Sequence, residues 1–419
     1  MPSLTNPAGH AAASTALPKR LGVAALMVVV QLLLLWISSA TRLPFRIFWK
    51  QLFAWDSGHY QGTLRGGMWN LPTHNSEAAF FPGYPMVASV LTSIGVNPAD
   101  ALRITAIAAD FAFWFAFLTI LSKLDLRRMT TLSICATIAC YPVGFVMVCA
   151  YSESTCCCLL VAYAYFLLFA KPRSTTLAGA ALCGFLLSLT RLVGVAASVL
   201  PLVLAWCEWR KDRNQALAGR LRRALPLANV ALATWAGTLA FFVFCQARLG
   251  QWDIYMFRQT FSWRHSPDMG APFDISVYWP LWLTAARLLH WPLERNVIAL
   301  LVLWAAIGTT TILSLLDIHL ARTSPSTDRF RRLGLYLFST IALFLAVSAM
   351  GREEHLSFER YALPIWVALL IALADWIHKS SMARRAEPML AAGLGVVSLV
   401  NLHVQGGIGL RFLAGSWVP

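Results

Sequence analysis

The sequence predicts an all-α polytopic membrane protein, and three observations carry that prediction. Of the 419 residues, 58% are hydrophobic and only 13% are charged, a balance that does not suit a soluble chain of this length. Apolar stretches long enough to cross roughly 30 Å of hydrocarbon recur from one end to the other. Between alternate stretches lie short segments dense in Lys and Arg, the charge asymmetry that fixes membrane orientation. The net charge of +15 therefore reads as topology and not as a nucleic-acid surface.

Taken in order, residues 1–20 read as a cytoplasmic tail ending in Lys19-Arg20. The apolar run from Leu21 continues to about Ala40, which suits a retained first span better than a short cleaved leader. Residues 21–419 read as one transmembrane domain. Its spans are expected at 21–41, 101–122, 130–148, 153–170, 175–190, 193–208, 225–247, 296–317, 333–350, 360–378 and 388–406. That makes about eleven transmembrane helices. A cytoplasmic N-terminus puts Lys123, Arg127, Arg128, Arg220, Arg222, Arg223, Arg331 and Arg332 inside, and leaves two long outer loops at 42–100 and 248–295.

The first outer loop is not an ordinary polar loop. Residues 46–55 carry apolar side chains at helical spacing with an excess of aromatics, the pattern of a helix lying in the membrane interface. Phe81–Gly95 is apolar but short and holds Pro82 and Pro85, so a second interfacial helix is expected there. The nine cysteines, Cys156-Cys157-Cys158 among them, show no CxxC or His-paired spacing and read as small buried thiols.

Four groups of chemistry-bearing residues fall on the outer side of this topology, although the charge count did not use them. Trp55-Asp56-Ser57-Gly58-His59-Tyr60 places a carboxylate among aromatics directly after the interfacial helix. Sugar transfer to a hydroxyl needs a base beside the acceptor oxygen, and Asp56 fits that role; the bland alternative is a helix-capping Asp. Tyr151-Ser152-Glu153-Ser154 follows the third span. Arg191 interrupts the apolar hairpin 175–208, where a lone Arg calls for an anionic partner, a phosphate by nature, or else snorkels to headgroups. Arg360-Tyr361 opens the tenth span, as a second phosphate ligand or as a plain interfacial anchor. A metal site drawn from Asp56, His59, His74 and Glu77 follows no recognised ligand spacing.

These residues resemble the PIG-V family, the second mannosyltransferase of GPI-anchor assembly and its bacterial relatives, within the GT-C class of membrane glycosyltransferases. The matching pieces are Trp55-Asp56-x-x-His59-Tyr60, Ala79-Phe80-Phe81-Pro82-Gly83-Tyr84-Pro85, Tyr151-Ser152-Glu153-Ser154, Leu189-Thr190-Arg191 and Arg360-Tyr361-x-Leu363-Pro364. Gly250-Gln251-Trp252, Phe257, Gln259 and Trp263 match a further outer-loop stretch. The set spans residues 45–365 in the family's order. Gly83 and Leu192-Val193 depart from the pattern, which has a bulkier apolar residue and a Pro there.

The resemblance implies a GT-C-like fold and an inverting, metal-independent transfer with no cofactor. The donor would be polyprenyl- or dolichyl-phosphate mannose and the acceptor a hydroxyl of a glycan or glycolipid. Asp56 is the implied catalytic carboxylate. Arg191 and Arg360 would stabilise the departing phosphate, His59 and Glu153 would position the sugar, and Tyr60, Trp263 and Tyr361 would offer stacking surfaces, with Gln259 beside them. The expected setting is a bacterial inner membrane with the site facing the periplasm, or the endoplasmic reticulum in a eukaryote. The rival readings are a lipid or solute transporter, for which Asp110 is the main intramembrane charge, and a GT-C enzyme using another sugar.

Overall fold

A computed structural model describes residues 7–39, 43–66, 77–210, 216–263, 267–274, 327–351 and 358–415, with scattered positions between 304 and 315. Among these residues the chain is helical and contains no strand. Backbone polar groups have no water to bond in hydrocarbon, so a helix, which satisfies them within itself, is the element such apolar runs adopt.

The helices are α1 (Pro7–Ser38), α2 (Phe45–Gln51), α3 (Ser57–Leu64), α4 (Gly83–Ser93), α5 (Pro98–Leu121), α6 (Arg128–Ala139), α7 (Glu153–Ala164), α8 (Ser174–Thr190), α9 (Val199–Arg210), α10 (Leu217–Leu249), α11 (Ile254–Trp263), α12 (Thr327–Met350), α13 (Phe358–Lys379) and α14 (Ser381–Leu413). Among the described residues seven segments are long and apolar enough to cross a membrane: Leu17–Ser38, Pro98–Leu121, Leu192–Arg210, Leu217–Leu249, Phe330–Ala349, Phe358–Lys379 and Ser381–Leu413. The chain is thus an integral, multi-pass membrane protein. Glu153–Phe169 and Ser174–Thr190 are shorter apolar helices.

One expectation changes here, one gains detail and one falls largely outside the described residues. The expected span 130–148 is not one helix: α6 stops at Ala139 and a separate 3-10 turn covers Gly144–Val148. Pro142 lies in the gap, and a proline supplies no N–H and disfavours helix in the residue before it. The twelve residues of α6 rise about 18 Å, too little to cross alone. The segment expected as a tail is largely helical, since α1 begins at Pro7. The expected span 296–317 falls largely outside the described residues. Within residues 42–100 the two anticipated short helices form as α2 and α4.

Polar side chains inside the bundle tie the helices at fixed places. Gln31 on α1 donates to the Gly144 carbonyl (3.2 Å) and accepts from Trp114 Nε1 on α5 (2.7 Å). Arg332 on α12 pairs with Asp375 on α13 at 3.1 Å, and buried Glu387 on α14 accepts from Thr130 on α6 at 2.8 Å. Helix α8 lies so close on α10 that a Cβ at Gly237 would strike the Phe185 carbonyl and Ser188 Oγ. These ties place the N-terminus of α13, the C-terminus of α8 and the start of α7 at one end of the bundle, about 22 Å along α13 from the Arg332–Asp375 pair.

Candidate functional site

Asp56 owes its position to an unusual turn. Trp55 before it takes the left-handed conformation (φ 53°), rare for a bulky residue and costly unless its surroundings enforce it. Ser57 supplies part of that enforcement: its Oγ donates to the Ala150 carbonyl at 2.9 Å, while the Ala150 N–H donates to the Leu52 carbonyl at 2.9 Å. The residues that follow α2 are thereby stitched to the segment leading into Tyr151 and Glu153. Arg103 anchors α2 from beneath, paired with Asp100 at 2.7 Å, bonded to the Lys50 carbonyl at 3.0 Å and lying over Trp49 and Phe53. Asp56 opens α3 yet makes no side-chain cap bond, so the capping alternative does not describe it.

The carboxylate of Asp56 turns instead to Arg360. Arg360 Nη1 donates to Asp56 Oδ2 at 2.7 Å, and Arg360 Nε donates to Glu153 Oε1 at 2.5 Å. Arg191 Nη1 lies 2.8 Å from the same Glu153 Oε1. Two carboxylates and two guanidiniums therefore alternate in the order Asp56, Arg360, Glu153, Arg191, drawn from four separate stretches of sequence. Each Arg also rests on an aromatic ring: Arg191 over Tyr361 and Arg360 over Tyr151, both 4.5 Å from the centroid. Burial differs along the row. The Glu153 side chain is fully enclosed, those of Arg191 and Arg360 are 10% exposed, and Asp56 is the most open at 18%.

Local sequence explains each placement. Glu153 is the first residue of α7, where the helix dipole favours a carboxylate. Arg191 sits in extended backbone between α8 and a 3-10 turn at Leu192–Ser198, so its side chain leaves the bundle axis at the break. Gly83 lets α4 meet that break: a Cβ there would fall 2.5 Å from Thr190 Oγ1 and 2.8 Å from the Leu189 carbonyl. The departure from the bulky residue of the resembled pattern thus has a steric cause.

Tyr60 donates to Ser152 Oγ at 2.9 Å, and burial, with Glu153 close by, pushes its hydroxyl well above the usual tyrosine range. It stays a neutral donor. His59 stacks on Phe80 with centroids 4.8 Å apart. Gln259 donates to the Ala79 carbonyl at 3.0 Å and so fastens α11 to the turn before α4. The backbone of α11 reaches Trp263, whose side chain lies outside the described residues. The structure thus gathers Asp56, Glu153, Arg191, Arg360 and Tyr361 in one cluster and sets Tyr60 beside it. Gln259 meets the Ala79 carbonyl and the side chain of Tyr255.

Sequence reasoning assigned no role to three residues. Tyr151, the platform under Arg360, is buried, and burial raises its hydroxyl. Tyr255 packs edge-on against Phe81 at 5.0 Å and is close enough to Tyr361, Arg191 and Tyr60 to be coupled to them electrostatically. Its signal was its place one turn before Gln259. Arg103 is the third, one turn after Asp100 at the start of α5.

Among the described residues no three of His, Cys, Asp and Glu gather as ligands for a metal ion; His74 lies outside those residues. All nine cysteines are free thiols. The row can do two things chemically: hold an anion on its guanidiniums, and take a proton on its half-buried carboxylate. No family model matches this chain, and no curated protein matches it.

Proposed function

We propose that this protein is a membrane glycosyltransferase that moves a hexose, mannose by the resemblance to the PIG-V family, from a polyprenyl- or dolichyl-phosphate carrier to an acceptor hydroxyl. The observation that carries this reading is the alternating row of Asp56, Arg360, Glu153 and Arg191, with its one partly open carboxylate at the end. Four charges gathered at one end of an apolar bundle, two of them on breaks between helices, are more than helix packing needs, and ionisable groups inside a membrane protein mark functional sites. Asp56 takes the acceptor proton, and the guanidiniums meet the negative charge that develops on the departing phosphate. Glu153, fully enclosed, holds both guanidiniums through Oε1 and so fixes where they point. The site faces the non-cytoplasmic side of a bacterial inner membrane in this reading, since the Lys/Arg-rich segments lie at the other end of the helices.

The test incubates the purified, full-length protein in nanodiscs with polyprenyl-phosphate mannose, with and without hydroxyl acceptors. Release of the lipid phosphate together with a mannosylated acceptor supports the reading. An intact donor under every condition refutes it.

Transport is the second reading, and one observation favours it. Asp110 sits midway along α5, fully buried, with neither carboxylate oxygen bonded among the described residues. Movement of an unmodified lipid or solute across a sealed vesicle, abolished by Asp110→Asn, would select transport over transfer.

A further inference from the structure

Arg360 holds its two carboxylates with different parts of one guanidinium. Nε serves Glu153, and Nη1, which points away from the Nε edge, serves Asp56. The contact to Glu153 is enclosed, the ring of Tyr151 supports the guanidinium face, and the Asp56 end is the open one. One of the two contacts can therefore be exchanged while the other stays as a pivot. The four charged groups also sum to zero, so nothing in the resting row is left over for an incoming anion unless an existing pair opens.

Resting on the transferase reading above, we propose that Arg360 shifts its Nη1 contact from Asp56 toward the phosphate when the donor binds, and completes the hand-over as Asp56 takes the acceptor proton. The step balances. The acceptor O–H proton moves to Asp56 Oδ2, the oxygen that Arg360 vacates. The acceptor oxygen forms its bond to the anomeric carbon while the bond from that carbon to the phosphate oxygen breaks with its electron pair. The lipid phosphate gains a second negative charge at the moment when Asp56 loses its own, and the guanidinium follows the charge. Total charge in the site is unchanged throughout, and no ion need enter or leave a region where isolated charge is expensive.

Two consequences follow. Before the donor arrives, Arg360 covers the base, so binding of the donor uncovers it and donor precedes acceptor. In addition, Asp56 and the phosphate compete for one guanidinium in the ground state, which makes donor affinity sensitive to Asp56 through Arg360. Arg360 acts here on the reacting atoms themselves, whereas Glu153 is a positioning residue that holds the pivot.

A double-mutant cycle on donor binding tests this. The dissociation constant of a short-chain polyprenyl-phosphate mannose is measured without acceptor for purified full-length wild type, Asp56→Asn, Arg360→Lys and the double variant, at matched monodispersity. Asp56→Asn should bind at least tenfold tighter than wild type, and Arg360→Lys should cancel that gain while costing little in the wild-type background. Should the Asn variant lose its fold, Asp56→Ser serves the same cycle. An unchanged or weaker affinity in the Asp56 variant, with transfer intact in wild type, overturns the hand-over alone. A gain that survives Arg360→Lys is mere relief of repulsion and also overturns it. Failure of wild type to bind or cleave the donor overturns the transferase reading together with the hand-over.

Discussion

Arg360 and Asp56 stand 304 residues apart in the chain, yet Nη1 of the one lies 2.7 Å from Oδ2 of the other. The contact joins the N-terminal turn of α13 to the first turn of α3, and through Glu153 it extends to Arg191 at the end of α8. A row of alternating charges assembled from such distant places constrains four elements at once, so its members should differ in what their loss does.

Arg191→Ala and Arg360→Ala should each lower kcat/KM for the lipid-phosphate donor, because a phosphate deprived of one guanidinium loses a charge-assisted bond worth about 1.5–3 kcal/mol. Arg→Lys should recover only part, since an ammonium lacks the planar fork. Steady-state kinetics on the purified variants checks this, and unchanged values for both alanine variants would reduce the two residues to membrane anchors.

Glu153 should matter more for stability than for chemistry. Its Oε1 holds both guanidiniums, and Glu153→Ala would strand the buried charge of Arg191 and leave Arg360 to Asp56 alone, at a cost of about 3–5 kcal/mol. Glu153→Gln keeps the shape and should fall between. Thermal unfolding in detergent reads the order wild type above Gln above Ala, and an Ala variant as stable as wild type would contradict the hub role.

Gly83→Val should destabilise the protein by about 1–3 kcal/mol through overpacking. Two of the three atoms that a Cβ would meet are backbone, the Leu189 carbonyl and the Thr190 nitrogen, so Thr190→Ala, which removes the third, should not rescue it. Rescue in the unfolding midpoint would show that the side chain alone makes the site tight.

Reporter fusions check orientation. The loops near residues 60 and 260 should report the non-cytoplasmic side, and those near 216 and 328 the cytoplasm, because Arg220, Arg222, Arg223, Arg331 and Arg332 lie around the latter. An external report from 216 would reverse the placement of the site.

Much of the architecture is legible from hydropathy because a bilayer imposes one simple rule on every span; α5, α10 and α13 fall close to the stretches expected. The break after α6 was legible too, in Pro142, but an apolar run of the right length outweighed it. Individual site residues announced themselves as charges in apolar or aromatic company, as Asp56, Glu153, Arg191 and Arg360 do. Their pairing did not. Which carboxylate meets which guanidinium depends on how α3, α7, α8 and α13 pack, and hydropathy carries no information on contacts 207 or 304 residues apart. The roles of Tyr151 and Tyr255 escaped for a similar reason, since an aromatic beside a span reads as an interface anchor until its partner is known.

The central claim is that Asp56 is the base of a transfer reaction, and Asp56→Asn tests it most directly. The amide keeps the shape of the carboxylate but cannot accept the proton, so turnover should fall about 10²–10⁴-fold while the donor is still bound and the fold is kept. The measurement is single-turnover transfer from polyprenyl-phosphate mannose, with donor binding on the same preparation and no added metal. Lost turnover with retained binding is the result this account predicts; near-normal transfer by the Asn variant would contradict it.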